Sequence, residues 1–248
     1  MHAPRVSFEF FPPKSLEASF RLWDTVNTLA PLAPRFVSVT YGAGGTTRTL
    51  TREAVSTLHG ATGLNVAAHL TCVNATKAET MAIADEFHAA GVREIVALRG
   101  DAPKGSGGFN PHPEGFKDSC ELIEALKERG EFTIRVGAYP EAHPEAANAN
   151  ADIDWLKRKF EAGADEAITQ FFFSADTFLR FRDRCAAAGI DKPIIPGIFP
   201  IENWSGARRF AESCGTTVPA WLNSAFETAE RDGRSDLLAF AHATEMCS

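Results

Sequence analysis

The sequence lacks the features that mark membrane, secreted and nucleic-acid-binding proteins. No apolar run reaches the roughly 18 residues that span a bilayer, and the N-terminus lacks the charged, apolar and small-residue blocks of a signal peptide. We therefore expect a cytoplasmic protein with no membrane partner. Lys and Arg form no cluster with interleaved aromatic residues, and the formal net charge is -7. We therefore do not expect the protein to bind nucleic acid.

Several motifs of metal and nucleotide chemistry are also missing. The five cysteines are scattered, odd in number and without a CxxC pair, which argues against a disulfide framework or a structural zinc site. Neither an HExxH helix nor closely spaced ligands occur, so we predict no metal site, although Glu9, His69, Asp101 and His143 could in principle converge. GxGxxG, GxxxxGK[ST] and GxSxG are absent as well, which excludes the usual dinucleotide, P-loop and acyl-transfer signatures.

What the chain does contain is a regular alternation of strand and helix patterns. Its 248 residues are 44% hydrophobic and 23% charged, which is enough to bury a substantial core. The predicted strands are Val6 to Phe11, Phe36 to Tyr41, Val66 to Cys72, Glu94 to Arg99, Phe132 to Tyr139, Glu166 to Phe173 and Pro193 to Phe199. The predicted helices are Leu16 to Leu29, Arg48 to Leu58, Lys77 to Ala90, Lys117 to Lys127, Ala151 to Glu161, Ala175 to Ala188, Asn203 to Glu212, one starting near Pro219, and Asp236 to Met246.

This alternation predicts an α/β fold with parallel strands and crossover helices. Seven strands are one short of the eight that close a (β/α)₈ TIM barrel, and no strand pattern follows Val218. We predict a single barrel domain over residues 1–248, with the eighth strand and helix absent. An open barrel, closure by another chain and a shortened polypeptide are the alternatives.

Polar residues interrupt the apolar runs mostly where the predicted strands end. Because the C-terminal rim of a (β/α)₈ barrel is where its active sites are built, these residues are candidates for a functional site. For any one of them, a structural hydrogen bond or a turn role is the alternative. The set comprises Glu9, Thr40, Tyr41, His69, Arg99, Asp101, Tyr139, His143 and Gln170.

Glu9 is the first candidate for a catalytic group. It lies between Phe8 and Phe10 in an apolar run, where burial would raise the pKa of its carboxyl and leave it able to donate a proton near pH 7. In the competing interpretation, Glu9 points outward from an edge strand while the two phenylalanines point inward. The sequence around Glu9 leaves both open.

Six motifs follow one another along the chain. They are Phe8-Glu9-Phe10-Phe11-Pro12-Pro13, Val39-Thr40-Tyr41-Gly42, His69-Leu70-Thr71-Cys72, Leu98-Arg99-Gly100-Asp101, Ala138-Tyr139-Pro140-Glu141-Ala142-His143-Pro144-Glu145 and Thr169-Gln170-Phe171-Phe172-Phe173. In this order they resemble the methylenetetrahydrofolate reductase family in its bacterial form. The resemblance runs from about Val6 to Phe226. It implies a flavoprotein that passes a hydride from NAD(P)H to FAD and then to 5,10-methylenetetrahydrofolate in two half-reactions, as part of one-carbon metabolism and methionine supply.

The resemblance also implies roles for individual residues. Glu9 matches the general acid that helps open the imidazolidine ring of the folate. Asp101 matches an aspartate near flavin and pterin, whose charge would stabilise a cationic folate. Gln170 matches a glutamine that contacts folate, and Phe210 an aromatic residue that stacks on substrates.

For FAD, the resemblance carries over a larger set. Arg99 and Lys159 are expected to offset the charge of the pyrophosphate, and Tyr139 to pack on the cofactor or hydrogen-bond to it. At Asp118 the chain departs from the aromatic residue that is usual there. The full set is Thr40, Tyr41, Ala43, His69, Arg99, Gly100, Asp101, Asp118, Ser119, Tyr139, His143, Asp152 and Lys159.

Two other functions stay open at this stage. One is a folate-binding or assembly protein of the same family without reductase activity, because the family pattern continues past the position of Ser248 with a strand and helix that carry a substrate-holding Tyr and Arg. The other is a different flavin barrel, such as a proline dehydrogenase-like oxidoreductase. In either case, as for the reductase, we expect a homo-oligomer.

Overall fold

The fold consists of parallel strands connected by helices, as a computed structural model shows for residues 5–41, 48–101 and 109–248. The strands are β1 (Phe8–Phe10), β2 (Val37–Val39), β3 (Val66–Thr71), β4 (Glu94–Leu98), β5 (Thr133–Ala138), β6 (Glu166–Thr169) and β7 (Ile194–Ile195). The helices are α1 (Leu16–Leu29), α2 (Arg48–Thr62), α3 (Lys77–Ala89), α4 (Ser119–Arg129), α5 (Ala149–Glu161), α6 (Ala175–Ala187), α7 (Trp204–Cys214), α8 (Ala220–Arg231) and α9 (Ser235–Met246), with a 3₁₀ turn at Ala30–Leu32.

The chain divides into two compact units. The N-terminal unit comprises Met1–Val136 and Glu161–Asp165, and the C-terminal unit comprises Gly137–Phe160 and Glu166–Ser248. Strand β5 contributes residues to both. Within each unit the strands follow the order of the chain, β1 to β5 in the first and β5 to β7 in the second. The prediction of one domain over residues 1–248 stays a prediction.

In the N-terminal unit the register aligns residues that the sequence separates widely. Glu9 of β1 lies opposite Ser38 of β2, and Ser38 lies opposite Ala67 of β3. Every residue of β3 is buried, as expected for a parallel strand covered on both faces. On β5 the buried Arg135 stacks over Phe36 and pairs with Glu94 at 2.5 Å, near the N-terminal ends of the strands.

Side-chain caps explain where several helices begin. Thr76 and Glu79 form a reciprocal capping box at α3, and Asp118 accepts the backbone N–H groups of Cys120 and Glu121 at the start of α4. The Asp118 cap is why α4 begins at Ser119 and not at the predicted Lys117. Asn203 caps α7 in the same way.

The core of the C-terminal unit is mainly aromatic. Trp204 of α7 and Phe226 of α8 stack with ring centroids 4.4 Å apart, and Phe173 meets Trp204 edge-on. The cluster comprises Phe171, Phe173, Ile201, Trp204, Ala207, Ala211, Leu222 and Phe226. This packing places α7 and α8 beside the residues that follow β6.

The predicted fold class is confirmed: the protein has an α/β fold of the (β/α)₈ class, with seven strands in the described residues. All seven strands are shorter than predicted, and the differences are largest at β7 and β6. β7 ends at Ile195, since Pro196 has no N–H to donate to a ladder. β6 ends at Thr169, and Phe171 and Phe173 then pack into the aromatic core.

Candidate functional site

Three polar side chains meet on neighbouring strands of the N-terminal unit. Ser38 Oγ donates a hydrogen bond to Glu9 Oε2 at 3.2 Å, and His69 Nε2 lies 3.3 Å from the same oxygen. The register explains the meeting, because Glu9 and Ser38 are direct partners and His69 lies two residues beyond Ala67 on the same face of β3. We call Glu9, Ser38 and His69 the acid cluster.

The environment of Glu9 differs from the sequence expectation. Half of its side-chain surface is exposed, while those of Phe8 and Phe10 are more covered. Burial raises the pKa of the Glu9 carboxyl, but the neighbouring His69 and the hydrogen bond from Ser38 outweigh that effect and hold the pKa below its ordinary value. The expectation of a raised pKa is therefore wrong for the protein without ligands, because the apolar neighbours in sequence are not the groups that touch the carboxylate.

Two buried polar atoms at the end of β3 are not satisfied. Among the described residues, neither His69 Nε2 nor Thr71 Oγ1 has a partner with hydrogen-bond geometry. The approach of His69 to Glu9 is close enough for an ion pair but does not have that geometry. Buried polar groups normally have partners, so these two atoms are the part of the unit best suited to meet a ligand.

The end of β4 carries Arg99, Gly100 and Asp101. The Arg99 guanidinium carbon lies 4.6 Å from the centre of the Phe109 ring, and Arg99 Nε donates to the carbonyl of Gly100 at 3.3 Å. Asp101 is exposed and makes no hydrogen bond or ion pair with another described residue. Gly100 has φ +85°, and a side-chain carbon there would lie 2.7 Å from Val73 Cγ1. The turn therefore requires glycine.

Other predicted cofactor residues of this unit have structural contacts. Thr40, after β2, accepts a hydrogen bond from Thr51 Oγ1 at 2.9 Å through its carbonyl. Asp118 and the buried Ser119 form the start of α4, where the Asp118 carboxylate serves as the helix cap. Tyr41 is described and half-buried, whereas Ala43 lies outside the described residues. Their roles toward FAD stay predictions.

In the C-terminal unit, three of the predicted residues contact one another. The Tyr139 and His143 rings meet edge-on with centroids 4.7 Å apart, and His143 N donates to the Asp152 carboxylate. His143 Nδ1 accepts the N–H of Glu145 at 3.0 Å, which leaves Nε2 as the protonated nitrogen of the neutral ring.

Lys159 is a buried cation on the same unit. Its Nζ donates to the carbonyl of Gly137 at 2.8 Å, close to the end of β5. Its role toward FAD stays a prediction.

Gln170 lines a small aromatic pocket, and Phe210 packs on Phe171 of its wall. The Gln170 side-chain oxygen accepts the N–H of Phe171 at 3.0 Å, so its amide N–H₂ remains available as a donor. Phe210 of α7 stacks on Phe171 with centroids 5.2 Å apart and planes 15° apart. The pocket has a volume of about 10 Å³, room for roughly one water molecule. It is lined by Tyr139, Pro140, Glu141, Ala142, Gln170, Phe171, Cys214, Gly215 and Thr216.

Metal and thiol chemistry have little basis in the described part of the chain. No group of three or more His, Cys, Asp or Glu side chains there could hold a metal ion. Burial raises the pKa of Cys72 to about 11, so its thiol is not activated as a nucleophile. No described helix is both long and apolar enough to cross a bilayer.

Sequence reasoning missed Ser38, Thr71 and Phe171 as site residues. Ser38 is a buried hydroxyl in the apolar run Phe36-Val37-Ser38-Val39, and that interruption was the available signal. Its partner Glu9 is 29 residues away, so only the strand register joins them.

A fold of β/α units with polar side chains at the strand ends is an arrangement typical of barrel enzymes. The family model for methylenetetrahydrofolate reductase matches residues 2–248. The 5,10-methylenetetrahydrofolate reductases of Salmonella typhimurium and Escherichia coli are each 47% identical over 237 residues, covering 96% of this chain and 78% of theirs. The chain belongs to the methylenetetrahydrofolate reductase family.

A plant enzyme is similar to the chain in sequence, and a solved structure is similar to it in fold. Methylenetetrahydrofolate reductase (NADH) 1 of Arabidopsis thaliana is 36% identical, covering 97% of this chain and 43% of the plant protein. Among solved structures, an uncharacterized Clostridium thermocellum protein that binds two copies of 5-methyl-5,6,7,8-tetrahydrofolic acid is similar, with a TM-score of 0.64 and 14% identity. That likeness covers 98% of this chain and 82% of the other, and it shows the fold alone.

Proposed function

We propose that the protein reduces 5,10-methylenetetrahydrofolate to 5-methyltetrahydrofolate with NAD(P)H as the donor, in two half-reactions through bound FAD. The observation that carries this proposal is the acid cluster, in which a half-exposed carboxylate is held by Ser38 beside His69 at the strand ends. The family membership gives the reaction class, and the cluster gives a group able to move the proton that ring opening requires.

The residues present fit FAD. Thr71 Oγ1 is buried without a hydrogen-bond partner among the described residues, which suits a ligand with many polar atoms. Arg99 is a cation suited to its pyrophosphate, and at Gly100 the backbone has no side chain to keep a ring away. The family resemblance assigns Lys159 to the same cofactor. A bound flavin would supply the hydride acceptor and donor of the two half-reactions.

Glu9 acts as the general acid in this proposal, with its proton on Oε1. Oε2 is occupied by Ser38 and His69, whereas Oε1 makes no hydrogen bond with a described residue. In the protein without ligands the lowered pKa keeps the carboxyl ionised. A folate ring that covers its exposed half would remove water and raise the pKa, so the group would take up a proton with the substrate and deliver it to the folate nitrogen that leaves.

The remaining residues bind and orient. Asp101 is exposed at the end of β4, where its negative charge would stabilise a cationic folate. The free amide N–H₂ of Gln170 would donate to acceptors of the folate ring. Phe210 is 36% exposed, so one face of its ring is available to stack on the substrate while the other packs on Phe171. We further propose a cytoplasmic homo-oligomer.

The test is the absorption spectrum of the purified protein. A yellow protein whose flavin bands bleach on anaerobic addition of NAD(P)H and return with methylenetetrahydrofolate is the expected result. A colourless protein that cannot be reconstituted with FAD would overturn the proposal. Folate binding by such a protein would then support the folate-binding alternative.

A further inference from the structure

The C-terminal unit has a second, larger pocket beside α7. It is open to solvent, with a volume of about 490 Å³. Its lining comes from α7, from the segment that follows α7 and from α8, and includes Ser205, Arg208, Arg209, Glu212, Thr216 and Asn223. No residue predicted from the family pattern lies in this lining.

The pocket concentrates positive charge in an acidic protein. Its lining includes two arginines and one carboxylate, that of Glu212, although the chain as a whole carries a formal charge of -7. Arg208 is oriented by Asn223, whose Oδ1 accepts from it at 3.2 Å. Arg209 makes no hydrogen bond or ion pair with another described residue. The pair is therefore suited to a ligand with more than one negative charge.

The second pocket, which we call the arginine pocket after Arg208 and Arg209, adjoins the small aromatic pocket that contains Gln170. Thr216 lines both, and its hydroxyl donates to the carbonyl of Phe171 at 3.2 Å. Phe171 in turn stacks on Phe210, the residue that directly follows Arg209 in α7. A ligand that packs on the exposed face of Phe210 thus has the arginines close by along the same helix.

We propose that the arginine pocket binds the glutamate tail of the folate. This inference rests on the proposed function, because it takes the substrate from there. A folate combines a pteridine, an aminobenzoyl ring and a glutamate whose carboxylates are its only anionic groups. With the pteridine at Gln170 and the aminobenzoyl ring on Phe210, the glutamate joined to that ring lies beside Arg208 and Arg209, which pair with its carboxylates.

The exposure of the arginines sets the expected size of the effect. Exposed ion pairs contribute modestly and are screened by salt, so each arginine should change affinity by about fivefold at most. A folate with three glutamates presents more carboxylates to the pocket than one with a single glutamate. The loss of the arginines should therefore weaken the longer ligand more.

The experiment measures the dissociation constants of 5-methyltetrahydrofolate with one and with three glutamates, by calorimetry on the full chain at low and at moderate salt. The variants are Arg209→Ala, the double variant Arg208→Ala with Arg209→Ala, and Arg209→Lys. Arg180→Ala is the matched control, since it removes an equal charge from an exposed position on α6 outside the pocket. Thermal unfolding confirms that each variant folds.

The expected result is a loss of about fivefold for the triglutamate in Arg209→Ala and about tenfold in the double variant, with a smaller loss for the monoglutamate and none in the control. Arg209→Lys should retain most of the affinity, and the salt dependence should weaken with each arginine removed. Equal losses for both ligands, or none, would overturn the inference while the reductase activity stood. If steady-state assays of the same variants showed a rise in KM for NAD(P)H and no change in folate affinity, the inference would also be overturned. The pocket would then be assigned to the phosphates of NAD(P)H. If the protein without substitutions bound neither the monoglutamate nor the triglutamate, the proposed function would be overturned as well.

Discussion

The two units carry polar residues of different kinds, held by different means. In the N-terminal unit, Glu9, Ser38 and His69 come from three consecutive strands and are joined by strand register. In the C-terminal unit, Phe210 is positioned by stacking on Phe171, and Gln170 by the hydrogen bond that its side-chain oxygen accepts from the Phe171 N–H. The first arrangement fixes one oxygen atom, whereas the second leaves a ring face and an amide open.

From this difference we infer that one arrangement serves proton transfer and the other serves substrate binding. A carboxylate that accepts a hydrogen bond from a buried strand residue is held well enough for proton transfer, which depends on distance and angle. Stacking surfaces tolerate small displacements and serve binding. We therefore expect substitutions in the acid cluster to act on the rate of one half-reaction, and substitutions around Phe210 to act on folate affinity.

The largest expected effect is that of Glu9→Gln. Glutamine retains the shape but cannot donate an acidic proton, so folate reduction should slow by about 10² or more while flavin reduction by NAD(P)H stays nearly unchanged. Anaerobic stopped-flow measurement of each half-reaction checks this. An equal loss in both would contradict the role given to Glu9.

Gly100→Ala tests the backbone that carries Arg99 and Asp101. The substitution combines a positive φ with a contact of 2.7 Å to Val73, and we expect a loss of about 2–4 kcal/mol in the free energy of unfolding. Gly63→Ala is the control, since its φ is +68° with no atom within 4 Å, and should cost about 1 kcal/mol. Denaturant unfolding measures both. Equal losses in the free energy of unfolding would show that Val73 moves aside without a measurable effect on stability.

Phe210→Ala should raise KM for the folate about fivefold and leave kcat nearly unchanged, because it removes one stacking surface and no reacting group. Phe199→Ala is a suitable comparison, since Phe199 contacts both Phe171 and Phe210 and tests whether the support of the ring matters. Steady-state kinetics at saturating NAD(P)H gives both constants. A fall in kcat without a rise in KM would show that Phe210 acts on the rate. It would contradict the expectation that the C-terminal unit acts on folate affinity.

Ser38→Ala is expected to have the smallest effect of the four substitutions. The hydroxyl stabilises the ionised form of Glu9, so its loss should raise the pKa of Glu9. Protonated Glu9 then persists to higher pH. The decrease in kcat/KM for the folate with rising pH should therefore occur at a higher pH. The rate on the low-pH plateau should fall about threefold as the carboxyl loses a restraint. Ser38→Thr retains the hydroxyl and should restore the original profile; an unmoved profile in Ser38→Ala would show that Ser38 does not act on Glu9.

Much of the fold was predictable from local patterns. The alternation of apolar runs and helical patterns identified all seven strands, because burial on both faces requires continuous apolar residues. The ends of β6 and β7 were wrong by several residues, since Phe171 and Phe173 have strand-like composition but pack with α7 and α8. Tertiary packing decided those boundaries.

The candidate site divides in the same way. Glu9, His69 and Gln170 were identified from polar residues at strand ends and from motif order, which are local signals. Ser38 and the arginine pair gave no such signal, because their neighbours come from distant parts of the chain. The charge state of Glu9 was predicted in the wrong direction for the same reason.

By itself, the sequence determined the class of fold and the family, and it singled out Glu9 as the candidate carboxylate, since periodicity and motif order are properties of the chain alone. The tertiary structure decided what surrounds that carboxylate. Strand register brought a hydroxyl and an imidazole to within 3.2 and 3.3 Å of Glu9 Oε2, and left half of the side chain open to water. A pKa depends on the groups in contact, and contacts between residues 29 or more positions apart exist only once the strands have paired.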